Sequence, residues 1–428
     1  MCIMLPTIEQ EIRKDLRYNV TVNLLDGAFF GFAFGFSSLT AFIPLFVSRM
    51  TSSAIFFGLI PAMHSFGWQL PQLLTAGWIS RLRRYKPVVM LLTIQERVPF
   101  LGLALVAWFL PGLGKQTALI LTFLMMAWQG IGGGFTANPW TSMIAKIIPS
   151  EYRGTFLGAQ SAAANALMSV GAILGGILLE KVSDRYDFSL LFLLTAFFMV
   201  VSYVILSLAR EPVDHAKQVP EKWQPFWRGT RSILRRDANF RWFLVTRLVS
   251  QLAMMGSAFY IIYCVQKFSM NDLTAGILTA SLTVSLIFAN PLMGFLGDRW
   301  SHRHILIVGA LAATLSGLIA WYAPALWWFY PVMVLTGLAG AAVWTIGMAI
   351  TVEFGSEAER PIYIGLANTL VAPATILAPI LGGWLADTAG YQTTFIVSAI
   401  AGLVTAIVLY RRVQDPRQAL PNRNSPIG

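Results

Sequence analysis

The stretch RGTFLGAQSAAANALMSVGAILGG, residues 153–176, occurs twice in this chain in diverged form. The second copy is RPIYIGLANTLVAPATILAPILGG, residues 360–383, and each matched position lies 207 residues after the first. The same spacing pairs Glu180 with Asp387. Each copy belongs to a mostly apolar unit that is far longer than a solenoid repeat. The duplication therefore predicts two homologous half-proteins that pack together in a membrane.

The overall composition excludes an ordinary soluble domain. Of the 428 residues, 56% are hydrophobic and only 12% are charged. An apolar run of about 20 residues spans a bilayer, and twelve such runs lie between residues 20 and 410, separated by short polar segments. We therefore predict an all-α membrane protein with twelve transmembrane helices in two pseudo-symmetric six-helix bundles.

The longest hydrophilic segment, residues 210–241, marks the predicted boundary between the halves. It carries eight Lys or Arg residues, interleaved with Trp223, Phe226 and Trp227. This pattern is typical of a helix on an anionic membrane surface, and a flexible tether is the alternative. The predicted organisation is an N-terminal six-helix half over 1–209, a basic linker over 210–241, a C-terminal half over 242–410 and a tail over 411–428.

The net charge of +11 would suggest nucleic acid in a soluble protein, but its placement favours a membrane orientation. If the N-terminus is cytoplasmic, 24 of the 31 Lys and Arg residues fall in or beside cytoplasmic segments. That asymmetry follows the positive-inside rule and predicts that both termini are cytoplasmic. Nucleic acid is not needed as a partner.

Carboxyl and guanidinium groups lie well inside predicted spans at Asp26, Glu96, Arg97 and Arg247. Charge within a membrane is costly and by default functional. Asp26 and Glu96 are candidates for proton coupling, since a buried carboxyl beside an arginine can change its protonation near neutral pH. Arg97 and Arg247 could instead meet an anionic substrate. The alternative is that all four are structural.

The glycine run 130–134 predicts the wall of a cavity. Such a run unsettles a helix and leaves backbone groups unpaired, which a membrane tolerates only beside protein or water. Gly27, Gly31 and Gly35 recur every fourth position and favour close helix packing, with a role in gating as the alternative. The candidate cavity residues are Arg97, Gln129, Asn138, Trp140, Arg247, Gln251, Tyr260 and Trp344.

The loop Gly294-Phe-Leu-Gly-Asp-Arg-Trp-Ser-His-Arg303 resembles the G-x-L-x-D-R-x-G-R-[KR] loop of the major facilitator superfamily of secondary transporters. Ser301 and His302 depart from that pattern, and in the first half Arg81 stands where the family has Asp. Arg153 and Gly158 also match the R-G-x-x-x-G pattern of the family. The resemblance implies a gate near the start of the second copied stretch. Its candidate residues are Gly294, Asp298, Arg299, Arg303, Arg153 and Arg360.

The resemblance further implies a transporter of the bacterial inner membrane that works by alternating access. We expect a monomer without a cofactor that moves a small neutral or amphipathic organic solute, with protons as the candidate coupling ion and the direction left open. Two alternatives are an ion-independent uniporter and a transporter-like membrane sensor. A membrane enzyme is not favoured, because the sequence contains no nucleophile arrangement, phosphate loop or metal-ligand spacing.

Overall fold

The computed structural model of the chain describes residues 8–79, 82–183, 185–213, 230–354 and 360–416. Contacts divide it into two compact units. The first contains residues 1–52, 63–223 and 271–280, and the second contains residues 53–62, 224–270 and 281–428. The predicted boundary over 210–241 stays a prediction, because residues 214–229 lie outside the described part.

Where the structure describes the first half of the sequence, it contains seven α-helices. They are α1 (Ile8–Phe36), α2 (Phe42–Ser48), α3 (Ala54–Ile79), α4 (Lys86–Leu113), α5 (Lys115–Ile147), α6 (Ser150–Lys181) and α7 (Asp187–Ser207). The apolar run predicted to begin the membrane domain is longer than one helix. Its helix ends at Phe36, and a turn in which Ser38 O accepts from Ala41 N and Ile43 N leads into the short α2.

In the described residues of the second half, nine α-helices follow. They are α8 (Thr230–Arg236), α9 (Ala238–Met254), α10 (Tyr260–Phe268), α11 (Asp272–Arg299), α12 (His302–Tyr322), α13 (Phe329–Ala341), α14 (Gly347–Glu353), α15 (Arg360–Ala389) and α16 (Tyr391–Arg412). A 3₁₀ turn, Met255–Ala258, joins α9 to α10, and a π-helical turn, Ala342–Ile346, joins α13 to α14.

The helices are long and apolar enough to cross a membrane many times. In the described residues, ten segments meet that standard by length and composition, and α1 and α3 add helices of 29 and 26 residues. No strand occurs in the described ranges. The prediction of an all-α, multi-span membrane fold is confirmed.

The duplicated stretch lies in α6 and α15, and its repeated glycines allow close backbone contact in both units. A methyl group on Gly176 would lie 2.8 Å from Asp272 O at the start of α11, and one on Gly383 would lie 2.5 Å from Ala54 O at the start of α3. Only a residue without a side chain permits such close backbone contact. The repeat is therefore a packing signature.

The acids that follow the repeat bind near the same helix starts. In the second unit Asp387 accepts from Ile55 N at 3.2 Å and from Ala54 N. In the first unit Glu180 accepts from the side chain of Asn271 at 3.3 Å. The positive end of a helix dipole favours such carboxylates.

The glycines of α1 all face α6. A methyl group on Gly27 would meet the side chain of Gln160, one on Gly31 would lie 2.2 Å from Ala164 O, and one on Gly35 would lie 2.5 Å from Met168 O. Backbones this close leave no room for side chains between them. The geometry supports the packing interpretation of these glycines.

The glycine run 130–134 does not interrupt its helix, so the prediction of unpaired backbone was wrong. α5 continues through it from Lys115 to Ile147. A methyl group on Gly132 would lie 2.5 Å from the carbonyl carbon of Gln95, and one on Gly134 would lie 2.3 Å from Gly67 O. The run serves close approach of α5 to α4 and α3 while the helix keeps its own hydrogen bonds.

Several gate candidates fall outside what the structure describes. This applies to the side chains of Asp298, Arg153 and Arg360 and to residue Arg81. Their predicted contacts remain predictions.

A buried charge cluster as the candidate functional site

Asp26 lies inside the first unit, on α1, with 5% of its surface exposed. Its Oδ1 accepts a hydrogen bond from Ser202 Oγ on α7 at 2.6 Å and lies 3.7 Å from Arg97 Nη2 on α4. Three helices thus meet at this carboxyl. A buried carboxylate needs such a cation and donor, because burial without them costs several kcal/mol.

Arg97, 7% exposed, uses every nitrogen of its guanidinium. Nε donates to Met199 O at 3.1 Å and Nη2 donates to Ser202 Oγ at 3.0 Å. Nη1 donates to the backbone and hydroxyl oxygens of Thr93, one turn earlier on α4. The guanidinium also lies 5.3 Å from the ring centroid of Phe30. Arg97 is therefore held between α4, α7 and α1.

Glu96 differs from Asp26, although it is equally buried at 5% exposure. Its Oε2 lies 3.9 Å from Arg97 Nη1, which is the outer limit of an ion pair. Among the described residues it makes no hydrogen bond. Its other oxygen faces α5, where a methyl group on Gly133 would lie 3.0 Å from Oε1. Adjacent residues on a helix point about 100° apart, so Glu96 and Arg97 turn to different neighbours, as their sequence predicts.

The cluster holds two carboxyls and one guanidinium. Asp26 and Arg97 balance each other through Ser202, and Glu96 has no second cation among the described side chains near it. Two ionised carboxylates beside one arginine would leave a net negative charge in a low-dielectric site. Binding one proton, or one external cation, restores neutrality.

These three residues line one cavity of about 360 Å³ in the first unit. Its aromatic lining is Phe30, Trp68 and Trp140, and its polar lining includes Thr93, Thr136, Gln160 and Ser161. A volume of this size suits a small organic molecule. Aromatic rings beside carboxylates are a common setting for a cation.

Among the other cavity candidates of this unit, only Trp140 lies on the wall. Gln129 is buried with its Oε1 3.2 Å from His64 Nδ1. Asn138 donates to Gln72 O at 2.6 Å and ties α5 to α3. Neither lines the cavity.

The candidates of the second unit are separate from this cluster. Arg247 lines a small cavity of its own, and Gln251 donates to Arg247 O at 3.4 Å. Tyr260 is buried with its hydroxyl 3.0 Å from Ser316 Oγ, whereas Trp344 is 67% exposed on the π-helical turn.

The described gate candidates have three different settings. Arg303 donates to the carbonyls of Leu409 and Tyr410 on α16. Arg299 is exposed at the end of α11, and a methyl group on Gly294 would meet no atom within 4 Å.

Sequence reasoning missed Ser202, Thr93, Gln160 and Trp68. Ser202 and Thr93 are ordinary small polar residues of apolar helices, and nothing in one sequence distinguishes them from packing residues. Of these four residues, only Gln160 carried a sequence signal, because it is a polar residue within the duplicated stretch. In the structure it lies on α6 and packs against Gly27 of α1.

Comparison with known proteins identifies one family. The family model described as Major Facilitator Superfamily matches residues 95–265 and 243–426. The multidrug resistance protein MdtG of Citrobacter koseri is 24% identical over 325 residues, which are 75% of this chain and 77% of that protein. A crystal structure of the nucleoside transporter NupG has a TM-score of 0.73 and 13% identity, covering 92% of this chain and 100% of that one.

A more similar but shorter match is the probable vesicular acetylcholine transporter-B of Danio rerio. It is 32% identical over 158 residues, which are 37% of this chain and 32% of that protein. The chain thus spans about a third of the length of this relative and of several others that it matches.

Proposed function

The chain belongs to the Major Facilitator Superfamily, and we propose that it is a secondary transporter that exchanges protons for a small organic solute with a cationic centre. One observation carries this proposal: Glu96 is a buried carboxyl without a hydrogen bond to a described residue, beside an Asp26–Arg97 pair that is already balanced. Exchange by alternating access would open the cavity to each side of the membrane in turn.

Glu96 is the proposed proton carrier. Asp26 is fixed by Ser202 and by Arg97, so its charged form has partners. Glu96 has only the distant edge of the same arginine at 3.9 Å. A group with weaker support for its charged form binds a proton more readily in a buried site. Asp26 is then the permanent counterion of Arg97.

The cavity supports a cationic or amphipathic solute over an anionic one. Arg97 would be the contact for an anion, but each of its nitrogens already donates to the protein. Trp68 and Trp140 offer flat apolar surface with negative ring faces. The names of two relatives, a multidrug resistance protein and a probable vesicular acetylcholine transporter, agree with a broad organic substrate class.

Competition at Glu96 supplies the proposed coupling. If a proton and a cationic solute each neutralise the same carboxyl, they cannot both be bound there. Loading one then releases the other, which makes an antiporter. A solute that avoids Glu96 would instead be carried without protons, as in the uniporter alternative.

The remaining parts of the proposal come from the sequence. We place the protein in a bacterial inner membrane as a monomer with both termini cytoplasmic, in agreement with the distribution of Lys and Arg. We also propose a gate that involves Asp298 and Arg360, as the sequence predicts.

The test is flux of a fluorescent organic cation, ethidium, in proteoliposomes with and without an imposed pH gradient. The wild type should transport ethidium against its gradient when protons flow the other way. Glu96→Gln should lose this gradient-driven flux and keep downhill exchange, while Glu11→Gln, an exposed acid of α1, should behave as the wild type.

Each other outcome is informative. Gradient-driven flux in Glu96→Gln would remove the proton carrier from the proposal. Equal loss of both kinds of flux would make Glu96 a structural residue. Absence of wild-type flux with ethidium and with a panel of other organic cations would contradict the substrate class.

A further inference from the structure

The second unit contains an arginine that is partly buried and has two enclosed nitrogens without a hydrogen-bond partner among the described residues. Arg247 lies on α9, and its Nε and Nη1 are enclosed but have no hydrogen-bond partner among the described residues. Arg97, the buried arginine of the first unit, uses all its nitrogens. Enclosed donors without an acceptor cost free energy, because they lose their hydrogen bonds to water. The described residues therefore supply no hydrogen-bond acceptor for these two nitrogens of Arg247.

Arg247 lines a cavity of about 30 Å³. In the described part of the chain, its wall is built from α9, α12, α16, the π-helical turn and the start of α14, and includes no acidic residue. The methyl and methylene groups of Ala310, Ala313 and Leu409 form much of it. The cavity holds one or two water-sized particles, since a single water needs about 10–15 Å³.

The hydroxyl groups of the wall are already engaged. Thr246 Oγ1 donates to Phe243 O at 2.7 Å, and Ser250 Oγ donates to Arg247 O at 2.8 Å. Thr405 Oγ1 donates to Ala401 O at 2.8 Å. With these protons committed to backbone carbonyls, the guanidinium is the main donor that faces the cavity.

Each unit contains an asparagine that exchanges two hydrogen bonds with one backbone residue, here called an asparagine clamp, and the two clamps show which helix positions correspond. Asn19 on α1 donates to Arg210 O at 2.9 Å and accepts from Arg210 N at 2.8 Å. Asn239 on α9 makes the same pair with Gln414, again at 2.9 and 2.8 Å. Counting seven residues on from each asparagine reaches Asp26 and Thr246. Arg247 therefore follows the position that corresponds to Asp26.

The acidic residue that follows each clamp shows which positions of α4 and α12 correspond. Glu211 accepts from Tyr85 N at the start of α4, and Asp415 accepts from the side chain of Ser301 at the start of α12. Twelve residues after Tyr85 and Ser301 lie Arg97 and Ala313, respectively. Nine residues before the two acids lie Ser202 and Ala406, so the second unit has alanine where the first has the arginine and its serine.

The corresponding positions of the two units differ in their charged residues. In the first unit the cluster joins a fixed carboxylate, Asp26, to an arginine. At the corresponding place in the second unit an arginine is present, while Thr246 and Ala313 stand where the charged pair would be. Among the described residues that line this place, the second unit thus has a cation and no carboxylate.

We propose that Arg247 binds a monatomic halide ion from solution, which acts as the counterion of the second unit. Charge requires an anion, because water would leave the guanidinium uncompensated. The space for water-sized particles, about 30 Å³, suits a monatomic ion. The apolar wall suits a large, weakly hydrated ion that needs few donors. This site is distinct from the transport cavity and does not depend on the proposed function.

The test is thermal unfolding of the purified full-length protein in sodium chloride, sodium bromide or sodium gluconate at equal ionic strength. Binding to the folded state alone raises the unfolding temperature with ligand concentration. The wild type should show a saturable rise of about 2–5 °C in chloride and bromide over gluconate. Arg247→Met should lose this difference, whereas Arg411→Met, at an exposed arginine on α16, should keep it.

A second variant keeps the test decisive. Ala313→Asp supplies an internal carboxylate from the position that corresponds to Arg97, and it should unfold at the same temperature in all three salts. If that variant does not fold, Thr246→Asp makes the same test from α9. Identical unfolding of the wild type in chloride and gluconate would overturn the proposal, as would a halide response that survives in Arg247→Met. The ethidium flux assay enters neither measurement.

Discussion

The hydroxyl oxygen of Ser202 lies 2.6 Å from Asp26 Oδ1. The same oxygen accepts a hydrogen bond from Arg97 Nη2 at 3.0 Å, so one small side chain on α7 joins a carboxyl on α1 to an arginine on α4. The direct distance between the two charges is 3.7 Å. Ser202 therefore completes an ion pair whose charges are slightly too far apart for a direct hydrogen bond.

Replacing Ser202 with alanine should destabilise the first unit. The change leaves a buried carboxylate and a guanidinium nitrogen each short of one partner, which costs about 1–3 kcal/mol. We expect a lower unfolding temperature for Ser202→Ala in detergent. Ser207→Ala, on the same helix at a partly exposed position, is the control. Equal unfolding temperatures in the two variants would mean that the bridge contributes nothing to stability.

Adding one methyl group at Gly133 should alter the proposed proton site without replacing a charged residue. That methyl would lie 3.0 Å from Glu96 Oε1 and 3.2 Å from a ring carbon of Trp68, so one of them must move. We expect Gly133→Ala to reduce gradient-driven ethidium flux more than tenfold while the protein remains folded. Gly112→Ala, where a methyl group meets no atom within 4 Å, should transport normally. Normal flux in Gly133→Ala would argue against a positional requirement at Glu96.

A methyl group at Gly31 tests the packing of α1 on α6. It would lie 2.2 Å from Ala164 O, a backbone atom that cannot move by itself. Gly31→Ala should therefore lower the free energy of unfolding by about 1–3 kcal/mol, as overpacking does elsewhere. Gly158→Ala places its methyl group in open space on α6 and should have no such effect. A stable Gly31→Ala protein would favour a gating role for this glycine over a packing role.

The fold could be predicted from the sequence because its signals are regional. Apolar runs long enough to span a membrane and a duplication of 207 residues survive many local exceptions. Local backbone was harder. The run at 130–134 weakens an isolated helix, yet α5 continues through it because neighbouring backbones at Gln95 and Gly67 pack against the glycines. Tertiary contact outweighed local propensity there.

The site was only partly predictable. Asp26, Glu96 and Arg97 stand out because charge in an apolar helix is expensive, and the structure brings all three to one cavity. Ser202 and Thr93 carry no comparable signal, although they make hydrogen bonds that hold Arg97. Gln129 and Asn138 carry a polar signal but tie helices together. Polarity in a span therefore predicts a partner, and only the fold decides whether that partner is a ligand.

The last prediction concerns the two asparagine clamps. Asn19 and Asn239 each exchange two hydrogen bonds with one backbone residue, at 2.8 and 2.9 Å in both units. The alanine variants Asn19→Ala and Asn239→Ala should each lose about 1–3 kcal/mol of stability, since two backbone groups lose their partner. The two losses should add in the double variant, because the two clamps share no partner.

The control for both is Asn165→Ala, where the exposed amide bonds only within its own helix. It should leave the unfolding temperature unchanged. A large loss at Asn19 with none at Asn239 would mean that the matching contacts have unequal weight. The alignment of Asp26 with Thr246, on which the halide site rests in part, would then lose its energetic support, although its geometry would stand.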